Sequence, residues 1–133
     1  MFKYNIEDQT YQTFYFELQA NHFKLKCEQD LERILSRVLT AYINILEENN
    51  REKFMQQLPG FIIPIDDQRR LFIKKNVKNL NEFAEIVYKM DKNEKTTYYK
   101  NSEMALISSI IVLSTLKRYM PENILNLLEM DIR

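Results

Sequence analysis

The chain has 133 residues, 45% of them hydrophobic and 29% charged, which is the size and balance of one globular domain and excludes disorder along its whole length. Nineteen basic and nineteen acidic residues cancel, so no net field recruits nucleic acid or an anionic membrane surface. A single glycine (Gly60), a single histidine (His22) and a single cysteine (Cys27) exclude glycine-built phosphate or calcium loops and an intramolecular disulfide.

The first ten residues, MFKYNIEDQT, carry Glu7 and Asp8 and no basic segment followed by an apolar run, so no signal peptide is expected. With its one cysteine, the chain is expected in a reducing compartment, the cytoplasm. Isoleucine, asparagine, lysine, tyrosine and phenylalanine are frequent, whereas alanine occurs only at 20, 41, 84 and 105. These preferences follow A/T-rich codons, as in an A/T-rich genome, a phage or a horizontally acquired gene.

Residues 13–27, TFYFELQANHFKLKC, alternate apolar and polar in two halves. Phe14, Phe16 and Leu18 mark one strand face, Phe23, Leu25 and Cys27 another, with residues 19–22 between them, so the spacing predicts a β-hairpin. Tyr11, Phe14, Tyr15 and Leu18 also fit a helical stripe, and the turn lacks an Asn-Gly or Asp-Gly pair, which leaves an all-α fold as the alternative.

Residues 30–48 place Leu31, Ile34, Leu35, Val38, Leu39, Tyr42, Ile43, Ile45 and Leu46 at the three-and-four spacing of one helix face. Glu32, Arg33, Arg37, Asn44 and Glu47 are read as its solvated side, and Asn49 with Asn50 as its end. Residues 51–58 predict a short helical piece before Pro59, Gly60 and Pro64 interrupt regular bonding. Phe61, Ile62, Ile63 and Ile65 make the following connection unusually apolar; they are expected to fold onto the core, the alternative being an exposed ledge.

Asp66 or Asp67 caps a predicted helix reaching about residue 76, with Leu71 and Phe72 inward and Arg69, Arg70, Lys74 and Lys75 outward. Residues 79–90 form another amphipathic helix through Leu80, Phe83, Ala84, Val87 and Met90, and 91–101 read as a polar loop. Residues 102–120 are apolar around nearly the whole circumference, the pattern of a helix at the centre of a bundle, and Pro121 opens a last helix over 122–130. The expected fold is a single-domain, helix-rich α+β: an N-terminal β-hairpin packed on four or five helices.

His22 and Cys27 raise the idea of a metal site or a nucleophile pair. Structural zinc needs four ligands, and a histidine in a hairpin turn does not meet a cysteine at a strand end, so no metal, cofactor or catalytic residue is expected. The carboxylate doublets Glu7-Asp8, Glu47-Glu48 and Asp66-Asp67 read as solvated surface and caps. Charge is segregated instead: residues 67–100 hold nine bases and five acids, residues 1–66 seven and ten, so the two portions lean by +4 and −3. Arg69, Arg70, Lys74, Lys75, Tyr98 and Tyr99 are the expected protein-binding residues, since arginine and tyrosine anchor interfaces.

These features point to a non-catalytic domain that inhibits a partner protein, as a bacterial immunity protein, an antitoxin or a phage-derived inhibitor would. A homodimeric adaptor or secretion chaperone is the alternative, and a weak nucleic-acid binder using residues 69–78 a third.

Overall fold

The computed structural model describes residues 2–22, 30–65 and 77–120. In chain order the elements are β1 (Phe2–Tyr4), α1 (Gln9–Asn21), α2 (Leu31–Ile45), α3 (Glu48–Gln56), β2 (Ile62–Pro64), α4 (Leu80–Lys92) and α5 (Ser102–Lys117). This is the helix-rich α+β class, with five helices and a two-stranded antiparallel sheet among the described residues. The helices expected over residues 66–76 and 122–130 lie outside them, as do residues 23–27 of the expected hairpin.

The sheet is not the expected local hairpin. Residues 13–21 belong to α1, which starts where the Asp8 side chain accepts the Thr10 amide. Tyr11, Phe14 and Leu18 are buried at helical spacing, while Phe16, which a strand would place beside Phe14 and Leu18, is 69% exposed. Strand alternation and helical periodicity overlap at 14 and 18 and differ at 16, and there the interior chose the helix. The sheet joins distant segments, pairing Phe2 with Pro64, Lys3 with Ile63 and Tyr4 with Ile62. The apolar connection after α3 is thereby split: Phe61 and Ile62 are buried, Ile63 and Ile65 exposed.

α2 ends earlier than its periodicity suggests, because Leu46 turns to extended backbone and buries its side chain. Asn49 and Asn50 lie within α3 instead of stopping α2. Arg51 Nε donates to the Ile43 carbonyl at 3.0 Å, meeting one of the acceptors left open at the end of α2. Phe54 then sets its ring edge-on to Tyr42, centroids 4.8 Å apart.

The middle of α2, residues 37–44, is buried all the way round, so Arg37 and Asn44 do not form the solvated face expected of them. α5 keeps an outward stripe in which Ile107 is 43% exposed, while Ser108, Ser109 and Thr115 are interior. Small side chains there admit close neighbours, and their hydroxyls are not left bare: Ser109 Oγ donates to the Ala105 carbonyl at 2.7 Å. α4 and α5 open on the capping asparagines Asn79 and Asn101, which accept the amides of Glu82 and Met104 at 2.9 Å each.

An aromatic group made of Tyr4, Tyr11, Phe14, Phe61 and Tyr119 fastens α1 between the sheet and the end of α5; the Phe14 and Phe61 centroids are 5.2 Å apart. Phe14→Ala is therefore expected to lower the unfolding free energy by about 3–5 kcal/mol. Phe16→Ala should change it by no more than about 0.5 kcal/mol. Urea titration of both variants checks the pair; the reverse order would restore the strand reading of this segment.

Candidate functional site

Asp91 sits in a stretch that reads as a solvated loop but is the last buried turn of α4, with no exposure at all. Its carboxylate accepts the Arg37 guanidinium, the Tyr98 amide at 3.0 Å and the Tyr99 amide at 3.0 Å. Arg37 Nη2 donates to the Thr96 carbonyl at 2.9 Å, and the guanidinium covers the Tyr98 ring 4.4 Å from its centroid. One buried ion pair thus joins α2, α4 and both ends of the connection between α4 and α5. Buried charges require this kind of compensation, since an unpaired one pays the full desolvation penalty.

The connection itself is presented outward. Residues 92–97 are all exposed, with Lys92 and Lys95 among them and the exposed Lys89 and Lys100 on either side. Lys92 Nζ lies 4.8 Å from the centroid of the Tyr88 ring, whose hydroxyl donates to the Lys100 carbonyl at 3.3 Å. Pairing of Arg37 with Asp91 also changes the charge count along the sequence. Each portion of the chain loses one charge of its minority sign, so residues 67–100 lean by +5 and residues 1–66 by −4.

Beside the connection runs an open groove of about 880 Å³, walled by β1 and its turn on one side and by Met90 and residues 93–96 on the other. Arg33, Ser36, Arg37 and Thr40 of α2 form its floor. Tyr4 shares a 2.6 Å hydrogen bond with Ser36, and Tyr11 donates to Glu32 at 2.5 Å. Burial pushes both phenols above the usual tyrosine value, with Glu32 adding to the effect at Tyr11, so both stay protonated.

The residues expected to bind a partner fall in different places. Arg69, Arg70, Lys74 and Lys75 lie outside the described residues. Tyr98 is half-buried beneath Arg37, its hydroxyl beside Arg33 and Asp30; burial raises it above the usual tyrosine value. Tyr99 is interior, 5% exposed, and its hydroxyl donates to Ser108 at 2.8 Å, so its ring packs the connection and is not offered to a partner. Asp91, Arg37 and Thr96 were not singled out by the sequence. An aspartate ahead of a Tyr-Tyr pair is a weak local sign of a capped loop, and its arginine stands 54 positions away.

His22 is not in a turn between strands but closes α1, with both ring nitrogens engaged. Nδ1 donates to the Leu18 carbonyl at 2.8 Å, which leaves Nε2 to accept from Ser108 at 3.2 Å, while Ser108 accepts from Tyr99. A serine bonded to a histidine resembles a nucleophile with its base. Here both are fully buried, and the bonds serve packing. Cys27 lies outside the described residues; among those described, no three His, Cys, Asp or Glu side chains gather as a metal site, and no helix is long and apolar enough to cross a membrane. Comparison with protein-family models, with curated proteins and with solved structures finds no match.

Two outcomes follow for solution measurements. Asp91→Ala strands the Arg37 charge and two amides, and should lower the unfolding free energy by about 3–5 kcal/mol, with Arg37→Ala on top of it adding much less than it does alone. Burial holds the His22 ring neutral, below its usual 6.5, so protons bind the unfolded chain first. The histidine's contribution is then complete above the unfolded value and is lost as the pH falls from it toward the depressed folded value. Urea midpoints across about pH 8 to 5 should drop on the acid side, less so in His22→Gln.

Proposed function

We propose that this chain is a small non-catalytic protein-binding domain that inhibits a partner by occlusion, in the manner of an immunity protein, an antitoxin or a phage-derived inhibitor. The observation that carries the reading is the exposed, lysine-bordered connection at 92–97 whose base is clamped by the buried Arg37–Asp91 pair. A loop already fixed before encounter loses less conformational freedom on binding. The opposed charge of the two portions orients an approaching acidic surface and accelerates association. His22, the one imidazole in the chain, is spent on internal hydrogen bonds, which fits work done by contact.

A specific observation favours a second reading, the homodimeric adaptor or secretion chaperone: Ile63 of β2 and Ile65 just beyond it stand exposed, at 44% and 46%. Sizing of the isolated protein separates the two, since a dimer supports the adaptor and a monomer the inhibitor.

The proposal is tested by capturing the partner from the source cell on immobilised protein and assaying it with and without the chain. Stoichiometric addition should abolish the partner's activity. The triple variant Lys89→Glu, Lys92→Glu, Lys95→Glu should weaken capture at least about tenfold, mainly through slower association at low salt. Capture that is indifferent to both charge reversal and ionic strength would refute the basic connection as the docking face.

A further inference from the structure

The groove beside the connection borders a strand edge that nothing in the described structure pairs. It is lined by Phe2, Lys3 and Tyr4 and by no residue of β2, so it follows the side of β1 that faces away from its partner strand. Pairing alternates between hydrogen-bonded and non-bonded positions in an antiparallel ladder. The Asn5 amide donates to the Phe61 carbonyl at 2.9 Å in the same register, which makes Lys3 and Ile63 the next bonded pair. Phe2 faces Pro64, which has no N–H to give, as a non-bonded position requires. The backbone N–H and C=O groups of Phe2 and Tyr4 therefore point into the groove, and among the described residues no backbone bond engages them.

The surroundings select what can lie there. Lys3, Arg33 and Lys95 carry three exposed cations at the rim against the one exposed carboxylate of Glu94, while the nearby Glu32 already accepts the Tyr11 hydroxyl. Ile6, 63% exposed at one end, offers an apolar contact for one side chain. From the free edge and the cationic rim together, we propose that the groove receives an extended acidic peptide segment of the partner as a third strand on β1. Main-chain hydrogen bonds to Phe2 and Tyr4 fix its register, and alternate carboxylates on its α2 side meet Arg33 and Lys95, while Lys3 projects from the other face of the sheet. This deepens the protein-binding reading and rests on it for the source of the peptide, while the groove's affinity for such a peptide stands on its own.

The probe is a capped eight-residue peptide alternating glutamate with valine, titrated into the full chain by fluorescence anisotropy. It should bind saturably, whereas the lysine–valine counterpart should not. Only one edge of an added strand bonds to β1, so N-methylation of one alternate set of amides should abolish binding and methylation of the other set should leave it intact. Arg33→Gln and Lys95→Glu should each weaken binding about three- to tenfold with unchanged circular dichroism. The methylated pair, used on the unaltered chain, decides the matter if either variant misfolds. Equal binding of both methylated peptides, or of the lysine counterpart, overturns the inference. Capture of a partner through the basic connection without peptide binding defeats the groove alone; peptide binding without a partner in the cell leaves the groove standing and defeats the inhibitor reading.

Discussion

The ion pair between Arg37 and Asp91 is the contact on which the described surface around the α4–α5 connection depends. Two apolar side chains of similar volume would hold α2 against α4 as firmly, since a buried pair gains little over a well-packed apolar one. They would leave the Tyr98 and Tyr99 amides without an acceptor and the Thr96 carbonyl without a donor. The pair is better understood as a positioning device. It fixes where the chain leaves α4, how it turns, and where it enters α5.

That placement shapes the surface twice over. It holds residues 92–97 outward as a formed surface, and it sets one wall of the groove whose other wall is β1. The sheet contributes in turn by being so small. Among the described residues only β2 pairs with β1, which leaves its other edge free, and the tyrosines behind it, Tyr4 on Ser36 and Tyr11 on Glu32, tie that edge to α2. Internal hydrogen bonding and the floor of the groove therefore share the same few side chains of α2.

Much of the helical architecture is legible in the residue pattern, because α4 and most of α2 carry apolar periodicity, although the end of α2 falls before the asparagines that the pattern offers as its stop. Residues 14–18 are ambiguous because two periodicities coincide there, and only the fate of Phe16 separates them. The Asp8 side chain, which caps the Thr10 amide in the structure, adds a local contribution to the helix. In α5, ranking by hydrophobicity places Ile107 inside and the serines outside, and the structure reverses this. Ser108 and Ser109 are small enough for close packing and find partners for their hydroxyls, a circumstance that hydropathy does not record. The polar run after Met90 conceals Asp91 for a related reason. Its partner is remote in sequence, and a buried carboxylate looks like a surface one until that partner is known. The segments paired as β1 and β2 are three residues each and lie about sixty positions apart, too short for periodicity to mark either.

Amide hydrogen exchange at Tyr98 and Tyr99 tests the central claim most directly. If Asp91 and Arg37 hold the connection as part of the interior, these two amides exchange as slowly as those in the middle of α2, although the residues just before them lie exposed. Exchange at the rate of an unprotected loop would contradict the account, because the connection would then open independently of the core and the clamp would not be what fixes it.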